Sequence, residues 1–181
     1  MAHSVGRAMP QLRPYAPADA ASAHALNQAN VPEVGAADAD RWAWLTSLAD
    51  HADVVDDGGA VVAVLLGFAE GSAYDSPNYR WFAARHERFA YVDRIAVAEP
   101  FRGAGLAQGL YHSFEAWARD RGIGVLCAEV NTVPPNPRSL RFHQRLGFEV
   151  VADIEPWPDT EPGHRVAMVE KHLDGAPDDP G

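Results

Sequence analysis

The segment Arg102–Ala107, which reads Arg-Gly-Ala-Gly-Leu-Ala, constrains the fold more than any other part of this chain. A β-like run, Tyr91–Val97, precedes it, and a helix-like run, Leu106–Arg121, follows it. Glycine lets the backbone approach a ligand closely, and the first N–H groups of a helix have no acceptor within that helix. A strand, a glycine-rich turn and a helix start in this order therefore predict an anion site, with phosphate as the expected anion.

The composition narrows the classes of protein and of partner. The chain has 181 residues, which favours one domain with a core of ordinary size. Fifteen basic residues against 25 acidic ones give a net charge of −10, which argues against a nucleic-acid surface and mildly favours a cationic substrate. We find no apolar run long enough to cross a membrane and no signal peptide, so we expect a cytoplasmic protein.

The ends and the single cysteine give three further expectations. Residues 1–9 are expected to form a flexible N-terminus, residues 10–173 the domain, and residues 174–181 a disordered tail rich in Pro, Asp and Gly. Cys127 has no partner for an internal disulfide, and its apolar surroundings in the sequence predict a buried strand residue. We predict no metal site.

Hydrophobic periodicity and turn residues predict an alternation of strands and helices. The predicted elements are, in order, a strand at Gln11–Tyr15, helices at Ala18–Asn30 and Ala37–Leu48, a hairpin of Val54–Val55 and Val61–Phe68, a strand at Tyr91–Val97, a helix at Leu106–Arg121, a strand at Val125–Val130, a short helix from Pro137, and strands at Phe148–Ile154 and Arg165–His172. Glu70–Phe89 is left as a long polar and aromatic loop. The strands on either side of the Leu106–Arg121 helix should be parallel neighbours.

Two familiar phosphate-binding motifs fit the glycine-rich segment poorly. A P-loop needs Lys followed by Ser or Thr after its last glycine, and Leu106 and Ala107 stand there instead. The dinucleotide fingerprint needs a third small residue where Gln108 stands, although Glu129 lies about where a ribose-binding acid is expected. The dinucleotide site stays a weak alternative.

The turn with Arg102, Gly105 and Ala107 is followed, one strand later, by a helix-like segment from Asn136 to Phe148. Together these two motifs resemble the GNAT superfamily of N-acetyltransferases. The pyrophosphate-binding pattern of that superfamily is Gln or Arg, two residues, Gly, one residue, then Gly or Ala. The matching residues are Arg102, Gly105 and Ala107 for this pattern, and Asn136, Ser139, Phe142 and Leu146-Gly147-Phe148 for the helix that the superfamily carries one strand later. Both motifs occur in the order and spacing of the superfamily.

The resemblance implies a single α/β (α+β) domain whose mixed, mostly antiparallel sheet has a splayed central parallel pair flanked by helices. It also implies acetyl-CoA as the acyl donor. The implied cofactor-binding residues are Gly103, Ala104, Gly105, Leu106 and Ala107 with Arg102 at the diphosphate, Ile95, Ala96 and Val97 along the pantetheine, and Asn136, Ser139 and His143 on the following helix. An N–H group at Val97 or Ala98, aimed by a β-bulge, would polarise the thioester carbonyl.

The catalytic candidates follow from the need for a neutral amine and a protonated leaving thiolate. Glu129 is favoured as the base because it ends a strand beside the expected splay, with Asp93 and Glu70 as alternatives. The superfamily often has a tyrosine as the acid at the position that His143 occupies here. His143 is therefore the candidate acid, and Tyr74, Tyr79 and Tyr91 are possible substitutes.

The acceptor is a primary amine, either on a small molecule or on a protein. We predict that Tyr74, Tyr79 and Trp81 bind it, helped by Trp42 and Trp44; the alternative is that these aromatic residues cover the sheet or a homodimer surface. Two other functions stay open. One is a catalytically silent CoA-binding module, and the more distant one is a dinucleotide-binding oxidoreductase.

Overall fold

The computed structural model describes residues 9–173, in which seven strands and five α-helices build one α/β domain. The strands are β1 (Gln11–Pro14), β2 (His51–Asp57), β3 (Ala60–Ala69), β4 (Ala90–Val97), β5 (Val125–Val133), β6 (Glu149–Ile154) and β7 (Arg165–His172). The helices are α1 (Ala20–Ala29), α2 (Ala39–Leu48), α3 (Pro77–Ala83), α4 (Leu106–Asp120) and α5 (Pro137–Arg145). Apart from Met9, the predicted flexible N-terminus and the predicted C-terminal tail lie outside the described residues.

The strands form a single mixed sheet in the order β1-β2-β3-β4-β5-β7-β6. Every neighbouring pair is antiparallel except β4 and β5, which are parallel and flank the crossover helix α4, as predicted. These two strands are paired only at Ala90–Leu126 and Tyr91–Cys127. Beyond this point they diverge, so the expected splay is present at their carboxyl ends.

Two apolar layers cover the sheet. Leu110, Tyr111 and Phe114 of α4 are fully buried in the layer on one face. The other layer contains side chains from α1, α2 and α3, together with the predicted strand cysteine, Cys127. In the described part of the chain, no helix combines the length and the apolar character that a membrane crossing requires.

Helix α3 corrects the prediction that Glu70–Phe89 is a loop without regular structure. Pro77 occupies the first turn, where its missing N–H costs nothing. Tyr79 and Phe82, three positions apart, are both buried. The helix has only seven residues, which is too short for a periodic pattern to stand out among the neighbouring polar and aromatic residues.

Close packing between β3 and α4 generates a stability prediction. A Cβ atom added at Gly67 would lie 2.3 Å from Cε2 of Phe114, whose ring is fully buried. We expect Gly67→Ala to lower the free energy of unfolding by about 1–3 kcal/mol, because the core has no room for the methyl group. Urea denaturation monitored by circular dichroism measures this change.

Gly109 of α4 provides the matched control. An added Cβ there would meet only Cδ1 of Leu12, at 3.8 Å. Gly109→Ala should raise the free energy of unfolding by about 0.5–1 kcal/mol, because alanine is the better helix former. If both variants shifted the free energy of unfolding in the same direction, the packing argument for Gly67 would be wrong.

Candidate active site

A cavity of about 930 Å³ opens where β4 and β5 diverge. Residues at the ends of both strands line it, and the glycine-rich turn and α5 close one end. Residues of α3 and of the connection between β6 and β7 also line it, and the segment between α1 and α2 runs along the cavity, with Asn30 and Glu33 close to Arg102 of the glycine-rich turn. The predicted anion turn and the favoured base, Glu129, therefore face one continuous space.

The free edge of β4 lies along this cavity. The Ala98 N–H donates to the Val62 carbonyl at 2.8 Å, so the paired residues Val97 and Ala63 do not exchange hydrogen bonds directly. In an antiparallel pair, the N–H and C=O groups of such a residue point away from the partner strand. The backbone groups of Val97 and Ile95 consequently face the gap toward β5, whereas those of Ala96 face β3. The Ala98 N–H is already engaged, which leaves Val97 as the predicted oxyanion donor.

A β-bulge interrupts the same strand, as the resemblance implied. Leu66 pairs with Arg94 and Gly67 pairs with Val92, so Asp93 has no opposite residue on β3. The bulge changes the local direction of β4 just where the strand leaves β5.

The glycine-rich turn has a backbone that suits glycine. Gly103 and Gly105 have φ values of 82° and 81°, in the left-handed region that other residues rarely adopt. The first hydrogen bond of α4 runs from the Gly109 N–H to the Gly105 carbonyl at 3.0 Å. The N–H groups of the first turn of α4 therefore have no acceptor within the helix, which makes this terminus suitable for an anion.

Arg102 turns toward the segment after α1. Its Nη2 lies 2.9 Å from Oδ1 of Asn30 and its Nε lies 3.3 Å from the Val97 carbonyl. A longer ion pair of 3.6 Å joins it to Glu33. Arg102 lines the cavity, but its guanidinium is held by protein groups beside the turn.

The first turn of α5 lines the cavity next to the glycine-rich turn. Oδ1 of Asn136 accepts a hydrogen bond from the Ser139 N–H at 3.1 Å, so Asn136 caps the helix. Both side chains belong to the cavity wall.

His143 is buried and both of its ring nitrogens are engaged. Nδ1 lies 2.8 Å from the Ser139 carbonyl, so it carries the proton and donates. Nε2 then accepts from the Tyr111 hydroxyl at 2.6 Å. Burial lowers the pKa of His143, which favours the neutral ring. A neutral imidazole with its N–H directed at a carbonyl is a poor general acid, so this geometry does not support the predicted proton donor. Tyr111 was missed in the sequence because it belongs to the apolar face of a helix.

Glu129 is the cavity carboxylate with the most altered acidity. Its Oε2 accepts from the Tyr91 hydroxyl at 2.6 Å. Desolvation, followed by the nearby charge of Asp93, raises the pKa of Glu129 to about 8. A carboxylate with such a pKa is suited to take a proton near neutral pH.

Asp93 is engaged in an ion pair. It accepts from the Tyr74 hydroxyl at 2.5 Å and from Nε of Arg94 at 2.7 Å. Arg94 is itself buried. Its Nη1 donates to Oδ1 of Asn27 at 2.9 Å and to the Gly35 carbonyl at 3.1 Å. Through Arg94, Asp93 therefore anchors the segment that leads from α1 to α2, whereas no ion pair with another described residue engages Glu129.

The remaining candidate base, Glu70, and the three candidate tyrosines all contact other protein groups. Glu70 is not part of the cavity wall and contacts Arg88 at 3.3 Å. The Tyr79 hydroxyl donates to the Ala69 carbonyl at 2.7 Å. The hydroxyls of Tyr74 and Tyr91 both donate to carboxylates. None of these three tyrosines has a hydroxyl free of protein partners.

The predicted acceptor residues separate into two groups. Tyr74 lines the cavity, whereas Tyr79 and Trp81 do not, which corrects that part of the prediction. Helix α3 is the cause, because it buries Tyr79 in the apolar layer and packs Trp81 edge-on against Phe82. Trp42 is likewise a core residue.

Other residues line the cavity instead. Wall residues that the sequence did not indicate include Arg41, Asn78, Trp157, Glu161 and His164. His164 packs edge-on against Trp157 and contacts Glu161 at 2.7 Å. Trp157, Glu161 and His164 come from the polar connection between β6 and β7, whose composition alone carries no signal of a site.

The comparisons with known proteins agree on one family. The model of the acetyltransferase (GNAT) family matches residues 22–148. The acetyltransferase Atu2258 of Agrobacterium fabrum is 32% identical over 83 residues. This alignment covers 46% of the present chain and 56% of that relative, so the chain spans just over half the length of the relative that it matches.

Solved structures with the same fold cover nearly the whole chain. The ribosomal-protein-S18-alanine N-acetyltransferase of Escherichia coli matches with a TM-score of 0.71 and 15% identity, over 94% of this chain and 98% of that one. Ard1 of Thermoplasma volcanium matches with a TM-score of 0.73 and 18% identity, over 92% of this chain and 99% of that one. Arabidopsis thaliana Naa50, in complex with the bisubstrate analogue CoA-Ac-MVNAL, matches with a TM-score of 0.70 and 14% identity, over 92% of this chain and 100% of that one. These likenesses confirm the predicted fold.

The buried His143 generates a prediction about stability and pH. The unfolded chain binds a proton on this histidine near its ordinary pKa of about 6.5, whereas the folded chain resists that proton. Below that pH, the unfolded state gains stability relative to the folded state. The free energy of unfolding of the wild type should therefore fall more steeply between pH 7 and pH 5 than that of His143→Phe. Urea denaturation across this range measures the difference, and a pH-independent difference would contradict it.

Proposed function

The chain belongs to the GNAT family of acetyltransferases, and from this premise we propose that it transfers an acetyl group from acetyl-CoA to a primary amine. The transfer takes place by direct attack within a ternary complex. The observation that carries the proposal is the continuous cavity, whose wall includes both the glycine-rich turn and Glu129. A donor entering from one end and an amine entering from the other would meet at the splay.

The donor binds at the glycine-rich end. Main-chain N–H groups of the turn and of the first turn of α4 hold the diphosphate, and Arg138 and Arg145 add positive charge to the same part of the wall. The pantetheine amides pair with the free edge of β4 at Ile95 and Val97, as an added strand would. The Val97 N–H then polarises the thioester carbonyl.

Glu129 acts as the base. An amine with an ordinary pKa of about 10 arrives as an ammonium ion, and the Glu129 carboxylate takes one of its protons. The neutral nitrogen attacks the thioester carbon and the carbon–sulfur bond breaks. The nitrogen loses a second proton as the amide forms, and the leaving thiolate takes that proton, so the protons balance without an acid from α5.

Tyr111 and His143 have a positioning role in this scheme. Their short hydrogen bond joins α4 to α5 beside the donor end of the cavity. Burial raises the pKa of Tyr111 and lowers that of His143, so both stay uncharged in the working range of pH. An uncharged wall next to the thioester favours the neutral amine over the ammonium ion.

The acceptor enters between the segment after α1 and the connection between β6 and β7. Glu161 lines this entrance and Glu129 lies deeper, so the carboxylates favour a positively charged molecule. Both a small-molecule amine and a protein amine fit this description. The similar structures from Escherichia coli and Arabidopsis thaliana are an alanine N-acetyltransferase and a complex with a peptide-linked CoA analogue, which supports including peptides among the acceptors tested.

Release of free thiol from acetyl-CoA separates this function from a silent CoA-binding module. We expect release to depend on an added amine when the protein is tested against small diamines, amino acids and short peptides with free N-termini. Binding of CoA without amine-dependent thiol release from any of them would favour the silent module. Cytoplasmic location, a homodimer and the absence of nucleic-acid binding stay predictions from the sequence.

The role of Glu129 generates a kinetic prediction. Glu129→Gln should lower kcat by roughly 100- to 10,000-fold, which is the usual contribution of a general base. Glu70→Gln is the matched control, because Glu70 was the alternative base and lies outside the cavity wall. It should keep a rate close to that of the wild type, measured by thiol release with a saturating amine.

The pH dependence provides the second readout of the same variant. The carboxylate form of Glu129 is the active form, so kcat/KM of the wild type should rise with pH through about 8. This limb should be absent from the residual activity of Glu129→Gln. A limb that persists unchanged in the variant would assign the base to another group.

A further inference from the structure

Outside the cavity wall, three potential metal ligands converge at the other end of the β4–β5 pair. His86, Cys127 and Glu170 each offer one ligand atom, and these atoms all lie within 4.8 Å of one another. We call this group the His–Cys–Glu cluster. The proposed acyl transfer makes no use of it.

The fold places the three side chains together from three different elements. Cys127 on β5 and Glu170 on β7 stand directly opposite each other in the antiparallel pair, so both side chains leave the same face of the sheet. His86 follows α3 along the chain, and its Nε2 lies 2.8 Å from Oε1 of Glu170. The backbone therefore fixes two ligands, and the third lies against them.

We propose that His86, Cys127 and Glu170 bind a divalent cation of borderline softness, with Zn²⁺ as the best match. One nitrogen, one sulfur and one oxygen donor form a set that Zn²⁺ accepts, whereas Mg²⁺ and Ca²⁺ prefer oxygen alone. Three protein ligands leave a fourth tetrahedral position for water.

Charge and burial favour this assignment. Cys127 is fully buried, and the side chains of His86 and Glu170 are 19% and 11% exposed, so the cation would enter past these two. A thiolate and a carboxylate together neutralise a doubly charged cation, which is what a mostly buried site requires. Without the cation, a Cys127 thiolate beside the Glu170 carboxylate would be unfavourable, because the two negative charges repel each other.

The proton balance of binding is simple. Desolvation raises the pKa of Cys127, so the thiol carries its proton until the cation displaces it. The proton of the His86 ring must lie on Nδ1 so that Nε2 can offer its lone pair to the metal. One proton is therefore released for each cation bound, and the His86–Glu170 hydrogen bond is replaced by two metal–ligand bonds.

Cobalt(II) tests the site without reference to acetyl transfer. The full chain, freed of any affinity tag and of metal, is titrated with Co²⁺ while the absorption spectrum is recorded. We expect a thiolate-to-cobalt charge-transfer band in the near ultraviolet that saturates at one equivalent, and we expect added Zn²⁺ to remove it. Cys127→Ala should abolish the band.

Variants of the other two ligands, with one control histidine, test the site even if the cysteine variant folds poorly. His86→Gln and Glu170→Gln should each weaken the apparent affinity for Co²⁺ by roughly tenfold or more. His112→Gln, at an exposed position of α4, should leave the titration unchanged. Zn²⁺ should also raise the Tm of the wild type and of His112→Gln but not that of His86→Gln.

Two outcomes would overturn the proposal. One is the absence of a charge-transfer band in the wild type at saturating Co²⁺. The other is a band of equal strength in the wild type and in folded Cys127→Ala, since the thiolate would then not be a ligand. Neither outcome bears on the acetyltransferase proposal, because thiol release from acetyl-CoA is measured without added metal.

Discussion

The short pairing of β4 with β5 is the constraint on which the rest of this structure depends. Two residue pairs hold the strands together, and their separation beyond Tyr91 leaves the backbone groups of Ile95 and Val97 without a partner strand. Backbone groups at the centre of a sheet need hydrogen-bond partners; Nε of Arg102 contacts the Val97 carbonyl at 3.3 Å, and an extended amide chain can supply further partners. The same divergence creates the cavity and brings Glu129, in the middle of β5, close to the bulge at Asp93 of β4.

The part of the cavity between β4 and β5 is organised by a difference between two carboxylates. Asp93 is neutralised by the buried guanidinium of Arg94, which also fixes the segment after α1. Glu129 accepts from the Tyr91 hydroxyl and lies close to the charge of Asp93. One carboxylate is therefore structural, and the other is held at a pKa near 8, where it can exchange protons.

The two candidate catalytic residues are predicted on different grounds. A strand pattern indicates that Glu129 faces a cleft, and the structure places Glu129 in the cavity wall, within a strand that continues to Val133. His143 is predicted because it replaces a tyrosine in a motif, but its surroundings depend on neighbours from other elements. The Tyr111 hydroxyl and the Ser139 carbonyl engage both of its nitrogens. In the same way, the sequence treats Cys127 as a core residue, and only the β5–β7 register brings it next to Glu170 and His86.

The sequence by itself determined the order of the strands, the parallel crossover through α4 and the glycine-rich turn, because each follows from local periodicity and from residues that favour one backbone conformation. It missed α3, because seven residues with mixed aromatic and polar side chains carry no clear period. The tertiary structure alone decided which aromatic side chains reach the cavity and which carboxylate stays free of an ion pair. These properties depend on contacts between residues far apart in the chain, such as Arg94 with Asn27 and Tyr91 with Glu129, and no local pattern records such contacts.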